Sequence, residues 1–125
     1  MKVKLIQRSN PLDKTQAPKY YAHMENEGVA DLRDLSKQVT KYSSLSVGDI
    51  SNVLDNLVDA ASLFLLMGRG VRLGNLGMLR VVLKSEGADS PAAFNTKMIH
   101  SIKLKFTPNV QLKKLLEDTS YEVVR

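Results

Sequence analysis

Between Ile50 and Leu65 the chain carries its strongest periodic signal. Ile50, Val53, Leu54, Leu57, Val58, Ala61, Phe64 and Leu65 recur at helical spacing, while Asp55, Asn56, Asp59 and Ser62 fall away from that stripe. Ser46 and Asp49 form a Ser-x-x-Asp capping pattern at the start, and Gly68-Arg69-Gly70 supplies the stop. The last turns change character, because Leu63-Phe64-Leu65-Leu66-Met67 is apolar in every direction. A helix that is apolar all round must be covered all round. Two covers are open to it: a second subunit, or the sheet of its own subunit. The first makes Leu57, Leu63, Phe64, Leu66 and Met67 the candidate interface of a homodimer.

The chain has 125 residues, 43% of them hydrophobic, enough to hold a core. There are no cysteines, which excludes a disulfide scaffold, thiolate zinc sites and cysteine catalysis. No apolar run approaches the roughly 20 residues of a membrane span. The opening Met1-Lys2-Val3-Lys4-Leu5 has no signal-peptide character. The expectation is a soluble, cytoplasmic protein without a membrane partner.

Other elements flank the central helix. Val3 and Leu5 alternate with Lys2 and Lys4, and Tyr20-Tyr21-Ala22 has strand composition. Residues 2–8 and 19–25 therefore read as a hairpin joined by the turn-rich stretch 9–18. Asp31 with Asp34 opens a first helix whose stripe is Leu32, Leu35, Val39 and Tyr42. After Gly70, Val71-Arg72-Leu73, a glycine turn and Met78 to Lys84 read as strand, turn and strand. Residues 85–93 read as an exposed loop or arm tip, and Met98 to Phe106 as a third strand. Thr107-Pro108 is expected to cap a short helix carrying Leu112, Leu115 and Leu116. Residues 121–125 read as a frayed tail or a short strand.

Charge is concentrated. The net charge is +5, and residues 68–105 alone hold seven basic and two acidic groups. Strand side chains alternate between faces. If Val71, Leu79, Val81, Leu83, Ile102, Leu104 and Phe106 cover the helices, the opposite face gathers Arg72, Arg80, Lys84, Lys97, Lys103 and Lys105. Such a face is either a plain solvated surface or a site for a polyanion.

Catalytic signals are missing from this pattern. His100 falls on the apolar strand face and reads as a packed histidine, and His23 lies in the N-terminal hairpin. Asp55 and Asp59 are one helical turn apart on a polar face, as in many solvated helices. No metal-ligand spacing, dinucleotide fingerprint or phosphate loop occurs. The expectation is a non-enzyme with no cofactor and no small-molecule ligand.

The order helix, helix, strand, glycine turn, strand, arm, strand, short helix resembles the bacterial HU/IHF histone-like DNA-binding family. Val71-Arg72-Leu73-Gly74-Asn75-Leu76-Gly77-Met78-Leu79-Arg80-Val81 is similar to its strand–Gly-x-Gly–strand segment. Phe106 to Leu116 is similar to its Phe…Lys-x-Leu-Lys end, and the resemblance covers roughly residues 29–118. Asn10-Pro11 and Ala17-Pro18-Lys19-Tyr20-Tyr21 resemble the N-terminal β extension of an HU-like subfamily. The resemblance implies an α+β, HU/IHF-like fold. It comprises two helices, a three-stranded antiparallel sheet with a protruding arm and a short C-terminal helix, preceded by a β-hairpin and assembled as an intertwined dimer. The division is then an extension over residues 1–27 and an HU-like domain over 28–125. It implies non-specific binding of double-stranded DNA in the nucleoid, with the strand cations on phosphates and Pro91 as a wedge between base pairs. The arm departs from the family pattern, since Ser85 to Thr96 contains Glu86 and Asp89 and no basic residue. That departure keeps a second expectation in view, an HU-fold assembly module that dimerises and binds protein partners.

Overall fold

The computed structural model describes all 125 residues. The elements run β1 (Lys2–Arg8), β2 (Lys19–Met24), α1 (Leu32–Thr40), α2 (Val47–Leu66), β3 (Val71–Arg72), β4 (Gly77–Ser85), β5 (Ile99–Pro108), α3 (Val110–Glu117) and β6 (Glu122–Val124). No helix is long and apolar enough to cross a membrane. The chain divides into two units, one of residues 1–29 and 115–125, the other of residues 30–114.

In the first unit the strand order is β2-β1-β6. β1 and β2 are antiparallel, with Leu5 facing Ala22 and Ile6 facing Tyr21. The expected tail becomes β6, which pairs with β1 in parallel so that Val3 faces Val123. The Met1 amino group donates to Ser120 O at 2.9 Å, and the Glu122 N–H donates to Met1 O at 2.9 Å, tying the two chain ends together. Val3, on the central strand, is buried.

Capping chemistry sets the helices of the second unit. Asp31 Oδ1 accepts the Asp34 N–H at 2.9 Å while Asp34 Oδ2 accepts the Asp31 N–H at 3.0 Å, a reciprocal capping box. That backbone bond from Asp34 holds the exposed Asp31 carboxyl below the usual aspartate range. Ser46 Oγ accepts the Asp49 N–H at 3.1 Å and starts α2. At the other end of α2 the Gly68 N–H reaches Leu65 O and the Arg69 N–H reaches Phe64 O, with Gly68 at φ +80°. This is a Schellman closure, and the Arg69 guanidinium lies 5.1 Å from the centre of the Phe64 ring.

The helices meet through a small polar contact. Ser36 is fully buried; its hydroxyl donates to Leu32 O at 2.7 Å and lies 2.9 Å from Ser51 Oγ. The expected stripe of α1 is less enclosed than its spacing suggests. Leu32, Leu35 and Val39 are all exposed, and Tyr42 lies beyond the helix end. Only Ile50 and Ala61 of the α2 stripe are buried. A helical period marks what can be covered, and within one chain the neighbouring elements cover little of it.

The second sheet has the order β3-β4-β5, antiparallel throughout. Two expectations change at its ends. Thr107 and Pro108 belong to β5, with Pro108 facing Gly77. Pro108 ends the strand, where its missing N–H is tolerated. The following Asn109 N–H donates to Leu76 O, and Asn109 O accepts the Lys113 N–H, so α3 starts from Asn109. Between β4 and β5 the arm end folds into two 3-10 turns, Pro91–Ala93 and Thr96–Met98.

Gly77 is the tightest point of this sheet. It is buried at φ +152°, and a Cβ there would meet the Thr107 carbonyl oxygen and approach the Phe106 ring to 2.7 Å. Gly77→Ala is therefore expected to cost about 3 kcal/mol or more, from combined strain and overpacking. Urea unfolding of both proteins measures it, and equal stability would contradict this packing.

Candidate nucleic-acid interface

Residues facing each other on neighbouring strands share a side of the sheet. The observed register places Val71 beside Leu79, Leu79 beside Phe106, Val81 beside Leu104 and Leu83 beside Ile102. These make the apolar side. The other side carries Arg72 beside Met78, Arg80 beside Lys105, Val82 beside Lys103 and Lys84 beside Ser101. Five of the six predicted strand cations thus share one face, and all five are exposed.

Lys97 does not join them. It sits in the second 3-10 turn, where Asn95 Oδ1 accepts its N–H at 2.9 Å. The alternation that would have placed it on the face ends at a register shift after Lys84, beyond which Ser85 faces Ile99. At the same shift His100 has no cross-strand partner. It is exposed rather than packed, and its Nε2 lies 3.1 Å from Glu86 Oε1. Pro91 is exposed at the first position of the other 3-10 turn, opened by Ser90 Oγ accepting the Ala93 N–H.

No carboxylate offsets the cations of this face. The ion pair of the protein is Lys2–Glu27, and the other contact to a carboxylate is His100 with Glu86; neither involves the five residues. Arg80 and Lys105 are direct cross-strand neighbours of like charge, an arrangement that destabilises a sheet. Arg80 Nε approaches Met78 Sδ at 2.9 Å, which holds the guanidinium along the strand. Arg72, Arg80 and Lys105 also line a hollow of about 400 Å³ with Thr107 and Asn109. Those last two polar residues were not singled out in the sequence. Thr107 continues the period of Lys103 and Lys105, so the signal was there; Asn109 becomes visible only once α3 is seen to start from it.

The α2 residues proposed for self-association are open. Leu57 is 46%, Leu63 61%, Phe64 40%, Leu66 85% and Met67 65% exposed. Beside them Leu65, Leu66, Val81, Leu83 and Ile102, with the cations Arg69 and Arg80 at the same hollow, line a space of about 660 Å³. The helix end therefore does not plug fully beneath its own sheet.

No curated protein matches the chain. A solved structure from Bacteroides vulgatus ATCC 8482, provisionally described as a bacterial DNA binding protein, is similar in fold, with a TM-score of 0.64 and 14% identity. The match covers 98% of this chain and 48% of that one, so the chain spans about half the length of that protein. The sequence pattern of the HU-HIG family, described as an HU domain fused to a wHTH, Ig, or glycine-rich motif, matches residues 1–123. With the cap, register and sheet geometry above, that near-complete match places the chain in the HU-HIG family.

Proposed function

We propose that the chain is a dimeric, architectural DNA-binding protein that holds duplex with little sequence preference through the basic side of its second sheet. The observation that carries this reading is the uncompensated cation row, above all Arg80 facing Lys105. Folding stability alone gives no reason to oppose two positive side chains. A phosphate backbone supplies the missing negative charge, and release of its counterions drives binding. Contacts to phosphate carry no sequence information, which accounts for the low preference. The role is binding, with no chemistry assigned to any residue.

The arm contributes little positive charge. Glu86 is engaged by His100, Asp89 adds another negative group, and Lys97 lies at the far end of the arm. In this reading the sheet face, rather than the arms, supplies the affinity, and Pro91, which opens a 3-10 turn of the arm, is the candidate wedge. The acidic arm also favours a second reading, in which the fold serves assembly and binds protein.

Self-association follows from the exposed apolar surface. Leu57, Leu63, Phe64, Leu66 and Met67 are each at least 40% exposed. A second copy covering the α2 end and the adjacent hollow removes these side chains from water.

Three outcomes test these points. Reversing Arg80, Lys103 and Lys105 to Glu is expected to weaken duplex binding at least tenfold, equally for unrelated sequences, in a fluorescence-anisotropy titration. Unchanged affinity would remove the face from the site, and absence of wild-type binding at physiological salt would favour the assembly reading. The single change Lys105→Glu converts the like pair into an opposite pair and is expected to raise stability by about 0.2–1 kcal/mol. A loss of stability would show that Arg80 and Lys105 do not repel. Finally, the urea midpoint should rise with protein concentration, and a midpoint constant over about a hundredfold range would contradict a dimer.

A further inference from the structure

The first unit presents a second cationic surface, which the duplex reading leaves unused. The β1–β2 register sets Arg8 opposite Lys19, Ile6 opposite Tyr21 and Lys4 opposite His23. These six residues share one face of the hairpin. Arg8 and Lys19 again oppose like charges, and neither has a carboxylate partner, the ion pair of this unit being Lys2–Glu27. Arg8, Lys19 and Tyr21 are exposed.

The connection between β1 and β2 shapes this surface into a hollow. The Asp13 N–H donates to Asn10 O, and Asn10 Nδ2 donates to Gln16 Oε1 at 3.2 Å, folding the connection back on itself. The resulting hollow of about 340 Å³ is lined by Arg8, Lys19, Tyr21, Asn10 and Gln16 among others, and by no carboxylate. It combines an aromatic ring, two cations and two side-chain amides. An unpaired nucleotide needs those three things: a ring on which its base stacks, positive charge for its phosphates, and donors and acceptors for its base edge. A duplex keeps its base faces stacked inside and offers Tyr21 nothing to stack on.

We propose that the first unit binds single-stranded nucleic acid, with one nucleotide seated in this hollow, its base on Tyr21 and its phosphates between Arg8 and Lys19. The proposal rests on residues of the first unit alone and stands apart from duplex binding by the second sheet.

The test titrates the full chain with labelled oligo-dT and oligo-U, two sources of the same strand chemistry. Tyr21→Ala is expected to weaken the better-bound strand by about tenfold or more. Tyr21→Phe keeps the ring and should retain binding. The chain has no tryptophan, so its tyrosine emission can be read directly. Strand binding should quench it in the wild type and less in Tyr21→Phe. The Arg8→Gln, Lys19→Gln double variant should lose affinity while its melting temperature stays level or rises, because the like-charge pair is gone. A merely structural pair would not separate those readouts. The variant with Arg80, Lys103 and Lys105 reversed should keep strand binding, so failure of the duplex reading and failure of this one are distinguishable. Failure of both strands to bind, or strand affinity unchanged in Tyr21→Ala, overturns the proposal.

Discussion

Like charges facing each other across antiparallel strands are the constraint around which this protein is organised. Sheets ordinarily place opposite charges, or a charge and a neutral group, on facing positions. Here Arg80 faces Lys105, with Arg72, Lys84 and Lys103 on the same side, and the acidic groups are placed elsewhere. The repulsion is tolerated because the other side of the same strands is apolar and the backbone ladder runs from Gly77–Pro108 to Ser85–Ile99. Gly77, pressed against Phe106 and Thr107, anchors that ladder at its base. The sheet thus has two unlike sides: one is apolar and available for packing, and the other carries the positive field on which the proposed function rests.

The second constraint is the shortage of core. Within one chain, Val3, Ile50, Ala61 and Ser36 are the buried side chains apart from glycine, while Leu66 and much of the α2 end lie open. Hydrophobic stabilisation scales with the area removed from water, so these side chains contribute little until something covers them. Pairing of two chains is the simplest cover, and in the proposed dimer it also doubles the number of cations presented. The energetics of the fold and the strength of the proposed site are then linked through one association step.

Much of this was legible in the sequence where the determining chemistry is local. Asp31, Ser46 and Gly68 mark helix ends because capping involves residues a few positions apart, and the structure shows their bonds in place. The charged face was legible because strand alternation has a period of two. It failed at Lys97 and His100, where the register shift at Lys84/Ser85 breaks that period. Thr107-Pro108 resembled a helix start, yet Pro108 equally suits the end of a strand, and the position of Gly77 opposite it decides the matter. Ser36 and β6 were not legible at all as contacts. Burial of Ser36 depends on Ser51 fifteen positions away, and β6 pairs with residues at the other end of the chain.

The salt dependence of duplex affinity tests the central claim most directly. Neutralising each phosphate contributes about −0.9 to the slope of log K against log salt, so engagement of Arg72, Arg80 and Lys105 alone gives about −2.7. The account predicts a slope at least that steep for the wild-type chain. A slope near zero, with duplex still bound, would contradict it, because binding would then owe nothing to the unopposed cations of the sheet.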